Sequence, residues 1–405
     1  MERIWRSLCG EQFCPETNLF YDCRTSRNPE RRFQYLPAPE EIAEQFPNPC
    51  GWSTGMEDCM LHAGSALEIM KLRNRNDEAE FALRVFDGIR RCATVHGKRG
   101  FLVRGITPRD GHSCYANSSR DQFTLATWGM YNLLTGFPSL TEHQKQPVRE
   151  LLCDVAHFCE TRITPENHWD LGRLDGHPAL VSQMWQCAPH EVLRLPMIYA
   201  AAGYATNDAH WQELACRYLK PGLEISRGIT QEACWDIPLA QFQLSLRVFR
   251  ETGLFPDAAP SVEALMAQAA EYAERLLEVI LAKAEAFDGD WYRLPGNWRR
   301  RAMCVTTQTL QSDETTAIWN GASYLNPLPA DDEAKPGEYL RGIGNCLIAL
   351  FSRPETVLSS SIASRLNYLL SGLDLTRVSG LGLMQLLHGL YLADERHQSM
   401  FPTTT

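Results

Sequence analysis

Nowhere in the 405 residues do apolar side chains run unbroken for the length a bilayer crossing needs, so no membrane span is expected. The opening MERIWRSLCGEQFC lacks a basic stretch followed by an apolar one, which argues against a secretory leader and for a cytoplasmic protein. Basic charge is scarce: 39 Lys and Arg face 49 Asp and Glu, a net charge of −10. A non-specific nucleic-acid binder carries the opposite balance, so no nucleic-acid partner is expected. No CxxC pair occurs among the 14 cysteines, which weakens zinc-ribbon and thioredoxin readings. The cysteines are scattered, many in apolar helical stretches, and read as free thiols of a reducing compartment. No phosphate-binding glycine loop is visible. HEVLR (190–194) has arginine where a zinc protease has its second histidine, and GLGLMQ (380–385) lacks the third glycine of a dinucleotide fingerprint. Hence no cofactor and no catalytic metal are expected, although Asp and His side chains converging in one place could hold an ion. Strands are few, and RGFLVRGI (99–106) is the best candidate, as a hairpin arm.

What is present is helical periodicity. Residues 56–70 carry Met56, Cys59, Met60, Ala63, Ala66, Leu67 and Met70 at a spacing of 3.6. Further helices are predicted over 77–96, 119–135, 143–162, 179–204, 208–226, 237–252, 261–286, 338–352, 355–372 and 380–394, with one more near 15–24. Those opening at 56, 119, 179 and 237 are apolar on most sides, as buried helices are. Those opening at 77, 143, 208 and 261 carry charge on one face, as surface helices do. The reading is an all-α chain in which inner and outer helices alternate, with 1–405 as one domain.

The four inner entrances read GMED (55–58), SSRD (118–121), DGHP (175–178) and WDIP (235–238), with about 60 residues from one to the next. That spacing is too long for the common helical repeats and fits a helical hairpin plus a long loop. This layout, with the phrases GMEDCMLHAG and DGHSCYANSSRDQFT, resembles the six-hairpin α/α-barrel glycosidases. The nearest functional likeness is to β-glucuronidases and unsaturated-uronyl hydrolases. The resemblance implies an (α/α)6 toroid whose inner-helix entrances meet in one funnel bearing catalytic carboxylates.

GWSTG (51–55) also spells G-x-S-x-G, the nucleophile elbow of α/β-hydrolases. That elbow needs a strand before its serine. The residues here are EEIAEQFPNPC, acidic and broken by proline, so a glycine-rich turn near a helix N-cap is the better reading.

Acids are the stronger lead. Glu57 and Asp58 sit in a first helical turn, where the dipole alone favours acidic residues. Asp58 and His62 are four apart and share a face. Trp52 and the apolar helix behind would leave a carboxyl half-buried, which raises its pKa toward that of a general acid. RGITPRDGHSCYANSSRDQF (104–123) gathers Arg104, Arg109, His112, Tyr115, Arg120 and Asp121. Ser118 or Ser119 can cap the following helix. That leaves three arginines in one loop of an acidic protein, as an anion site would have them. HWDLGRLDGHP (168–178) adds Asp175 and His177, CWDIP (234–238) adds Trp235 and Asp236, and DWYRLPGNWRRR (290–301) adds aromatics and arginines. QSDETTAIWNGASY (311–324) adds Glu314. Rings beside acids and arginines are what a sugar site uses.

The expected activity is hydrolysis of a uronic-acid glycoside at a chain end, with an oligosaccharide or small glycoside as substrate. Asp121 and one of Glu57 or Asp58 form the expected acid pair, with Asp236 and Glu314 in reserve. Arg104, Arg120 and His112 are expected at the substrate carboxylate and Trp235 under the sugar ring. Trp52, His62, Tyr115, Asp175 and His177 complete the expected binding set. The rivals are a polysaccharide lyase using Tyr115 or His112, an epimerase, and a non-catalytic sugar-binding toroid. Oligomeric state stays open, a homo-oligomer included.

Overall fold

The computed structural model describes residues 1–75, 77–179, 182–292, 294, 298–299 and 335–396. Thirteen α-helices lie among them: α1 (Glu2–Glu11), α2 (Pro39–Ala43), α3 (Cys59–Arg73), α4 (Glu78–Thr94), α5 (Arg120–Gly136), α6 (Glu142–Arg162), α7 (Arg194–Thr206), α8 (Ala209–Ser226), α9 (Asp236–Thr252), α10 (Ala259–Glu285), α11 (Lys335–Phe351), α12 (Ser360–Ser371) and α13 (Leu383–Arg396). One two-stranded antiparallel hairpin, β1 (Phe13–Cys14) and β2 (Leu19–Phe20), accompanies them. No described helix is long and apolar enough to cross a membrane.

Two kinds of helix follow from two kinds of sequence. In α3 every residue from Cys59 to Met70 is buried, in α5 every residue from Gln122 to Leu133, and in α9 every residue from Pro238 to Phe249. In α4 and α10 burial is a stripe: Ala82, Val85, Phe86, Ile89 and Cys92 in one, Val262, Leu265, Met266, Ala269, Ala273 and Leu277 in the other. The buried helices pack in succession, α3 on α5, α5 on α7, α7 on α9, α9 on α11 and α11 on α13, and α13 returns to α3. Each striped helix covers one or two of them: α4 lies on α3, α6 on α5 and α7, α8 on α7, and α10 on α9 and α11. One apolar cluster runs from Ile4 to Ala393.

Glycine lets the buried helices touch backbone to backbone. A Cβ at Gly64 would sit 1.9 Å from the Leu125 carbonyl oxygen, and one at Gly344 would sit 2.2 Å from the Gln385 backbone. No side chain fits there, so α3 against α5 and α11 against α13 depend on these positions.

Three expectations fail here. Residues 99–106 form no strand. Phe101, Leu102 and Val103 are fully buried, so their apolar run reflects burial of an extended connector rather than pairing in a sheet. The segment near 15–24 holds the β1–β2 hairpin, and the N-terminal helix is α1. The hairpin turns at Asn18 (φ 58°), and Phe13 and Phe20 both pack on Phe81. The third buried helix starts at Arg194 rather than 179. Asp170 bridges to Gln183, and prolines 178 and 189 break the intervening chain. The recurrence near 60 therefore fails too, since entrances at Asp121, Arg194 and Asp236 are 73 and 42 residues apart.

Candidate active site

The entrance to α3 is built around a carboxylate the sequence did not flag. Asp22 is buried, and its two oxygens accept the backbone N–H groups of Glu57 and Asp58, each at 3.1 Å. It thereby fixes the turn into α3, taking the N–H of the N-cap residue Asp58 and that of Glu57 just before it. Asp58 occupies the N-cap position but its side chain makes no capping bond. His62 turns to Asp22, its Nε2 3.3 Å from Oδ1, in place of the expected contact with Asp58.

Free of capping duty, Glu57 and Asp58 face a cavity of about 410 Å³. The Ser53 backbone N–H donates to Glu57, and Gln122 Nε2 donates to Asp58 Oδ1 at 2.9 Å. Burial and the neighbouring Asp22 and Asp58 charges push the Glu57 carboxyl up to about 8. Burial and Asp22 also raise Asp58, against the opposing pull of Arg104, 3.7 Å away, and His62. Arg104 is itself buried and donates to the Glu57 carbonyl at 3.1 Å.

The opposite environment surrounds Asp121, in the first turn of α5. Arg194, the first residue of α7, donates to it at 2.5 Å. Arg120 bridges to Glu191 at 2.8 Å, and Glu191 lies 3.7 Å from Arg194. Burial alone would raise Asp121. The Arg194 and Arg120 charges outweigh it and hold the carboxyl below its usual value. Two carboxyls on one cavity are thus pushed apart, one toward the acid form and one toward the ionised form, as an acid–base pair requires.

Trp52 and Trp235 supply aromatic wall. Trp235 is 53% exposed and meets the His190 ring edge-on at 5.7 Å. Arg341 of α11 completes the lining. Its Nε is buried without a hydrogen-bond partner, and among the described residues the guanidinium pairs with no carboxylate.

Of the residues singled out from sequence, Trp52, Glu57, Asp58, Arg104, Arg120, Asp121 and Trp235 line this cavity. The others stand elsewhere. His62 is buried behind the Glu57–Asp58 turn. His112 is exposed, 3.5 Å from Asp110, in a tight surface turn. Tyr115 donates to the Phe46 carbonyl at 2.5 Å, with its ring under Gly51, where it holds the turn together. Asp175 pairs with Arg173, and His177 is exposed on the same turn, well ahead of α7. Asp236 accepts from Asn345 at 2.8 Å just beside the lining. Tyr292 donates to Gly372, and Trp298 packs on Phe46, both away from the cavity. Glu314, with 311–324, falls outside the described residues. Ser119 stands at the N-cap of α5 without a capping bond, and Ser118 donates instead to the Leu102 carbonyl at 2.5 Å, so neither serine caps as expected. The GWSTG turn is no elbow: Gly51, Ser53 and Gly55 all have positive φ, no strand precedes them, and the Ser53 backbone serves Glu57.

Sequence reasoning missed Asp22, Glu191, Arg194 and Arg341. HEVLR held two of them, hidden behind its near-match to a metal motif. Among the described residues, no three His, Cys, Asp or Glu side chains are grouped to hold a metal ion. Comparison with known protein families, with curated proteins and with solved structures finds no match.

Proposed function

We propose that this chain is a glycoside hydrolase of the six-hairpin α/α-toroid kind, acting on a uronic-acid glycoside at a chain end. The observation that carries the reading is the split between Glu57 and Asp121 on one cavity. Glu57, protonated near neutral pH, donates to the leaving glycosidic oxygen. Asp121, ionised, takes the proton of the incoming water. Trp52 and Trp235 pack on the apolar faces of the sugar.

Charge supports an anionic substrate. Arg104, Arg120, Arg194 and Arg341 face Glu57, Asp58, Asp121 and Glu191, so the lining turns net positive once Glu57 holds its proton. Arg341, whose guanidinium pairs with no carboxylate among the described residues, suits the substrate carboxylate. Beneath the carboxyls the space narrows against Leu61, Leu125 and Leu244, which favours the end of a chain over its middle. Elimination is less well served, because the described lining contains no tyrosine or histidine to act as base.

The test is turnover of nitrophenyl uronides and uronate oligosaccharides by wild type, Glu57→Gln and Asp121→Asn. Oligosaccharide hydrolysis by wild type alone, with no new ultraviolet absorbance in the product, is expected, while Glu57→Gln keeps part of its activity on the activated nitrophenyl uronides. An unsaturated product, or full activity in both variants, overturns the assignment.

A further inference from the structure

Behind the carboxyl pair lies a second chamber of about 30 Å³, bordered by Asp58 and Asp121, which also line the main cavity. Its walls include Gln241, Gln385 and Arg341. Gln241 and Gln385 are 2% and 3% exposed, and neither side-chain oxygen accepts a hydrogen bond from a described residue. The Arg341 Nε–H, likewise buried, has no acceptor among the described residues. Burying such groups unpaired costs free energy. They ask for a small guest that donates twice and accepts at least once, which is what water does. The volume exceeds the roughly 10–15 Å³ that one water needs. Leu61, Leu125, Leu244 and Ile348 close the remaining walls and leave little room for anything bulkier.

We infer that this chamber is a water site held by Gln241, Gln385 and Arg341, and that it supplies the water for hydrolysis. The role in hydrolysis rests on the function proposed above; the water site does not. In the step, the oxygen of that water bonds to the anomeric carbon and one of its protons passes to the Asp121 carboxylate. The bond from the anomeric carbon to the leaving oxygen breaks with its electron pair on oxygen, which takes the Glu57 proton. One displacement from the far face inverts the anomeric centre.

The test combines crystallography with kinetics on the full chain. Crystals that show ordered solvent should place one water within hydrogen-bonding distance of both glutamine side chains. A chamber filled by side chains, or holding no ordered water, overturns the site. Gln241→Met and Gln385→Met fill the chamber with unbranched apolar atoms of similar volume. Each should lower kcat roughly tenfold or more while KM stays within about twofold, because the nucleophile and not the sugar is displaced. Unchanged kcat in variants with wild-type thermal unfolding overturns the hydrolytic role, as does a product of retained configuration by NMR. An ordered water in a wild type that turns over no glycoside sinks the hydrolase reading and the role with it, and leaves the water site standing.

Discussion

A carboxyl keeps its proton at neutral pH only when the charged form is made expensive, and at Glu57 two causes combine: burial, and the Asp22 and Asp58 charges. In its proposed role of general acid, Glu57 would set the alkaline limb of the pH–rate profile, so activity should fall as pH rises through about 8. Asp22→Asn removes a like charge without emptying the space, and should move that limb to lower pH. A limb that stays put would exclude Asp22 from tuning the acid. Glu57→Gln should cost roughly 10²–10⁴ in kcat on poor leaving groups and far less on activated aryl glycosides. The folded state also binds the Glu57 proton more tightly than the unfolded chain does. That contribution to stability is complete below the unfolded carboxyl pKa and is lost as pH rises toward about 8. For Arg341→Met, loss of one charge-assisted contact of about 1.5–3 kcal/mol should raise KM for a uronide roughly tenfold or more. KM for the neutral glucoside should change little, and an equal rise in both KM values would remove Arg341 from carboxylate recognition. Glu57, Asp58, Arg120, Asp121 and Trp235 share a reason: each sits at, or one turn before, a helix entrance, where local order predicts position. His112 and Tyr115 misled because a loop rich in functional groups also needs groups to hold itself in shape. Asp22 carried no local signal at all, since its role exists only once the chain from 57 to 58 is brought against it.

Helices are the element at which the sequence was most legible, because the period of 3.6 survives whatever lies around it. It separated α3, α5 and α9 from α4 and α10 by how far around the helix the apolar residues extend. It misplaced the start of α7 because an apolar, proline-punctuated connector scores like a buried helix. It mistook Phe101–Val103 for a strand because burial, not pairing, sets that composition. What periodicity could not show is how close the helices come. Gly64→Ala forces the Leu125 carbonyl, 1.9 Å from the added carbon, to move with all of α5. Urea unfolding should show a loss of at least about 1–3 kcal/mol. Gly97→Ala makes a useful comparison, since nothing lies within 4 Å of its added carbon and only the positive φ (73°) is strained. A Gly64→Ala cost no larger than that of Gly97→Ala would mean that α3 and α5 are free to separate.

Across the whole molecule, one buried ionic cluster joins four of the all-round buried helices. Glu68 of α3 accepts from Trp128 of α5 at 2.6 Å and His388 of α13 at 2.5 Å, and pairs with Arg247 of α9 at 2.7 Å. Burial alone would raise its pKa, but Arg247 and His388 outweigh it and hold the carboxyl well below the usual range. Its stabilising effect is therefore present above the unfolded carboxyl pKa and lost as pH falls toward the folded one. Glu68→Gln leaves buried Arg247 with Glu251 alone, 2.9 Å away, and His388 without its carboxylate, and should cost up to about 3–5 kcal/mol in denaturant unfolding. A variant as stable as wild type would deny the cluster that role. The return of α13 onto α3 reaches further still. The helix that presents the acids ends at Arg73, yet one of its neighbours begins only at Leu383. During synthesis α3 must wait, with no side suited to water, until α13 has emerged. A nascent or truncated chain lacking α13 is then a client for chaperones rather than a smaller folded protein.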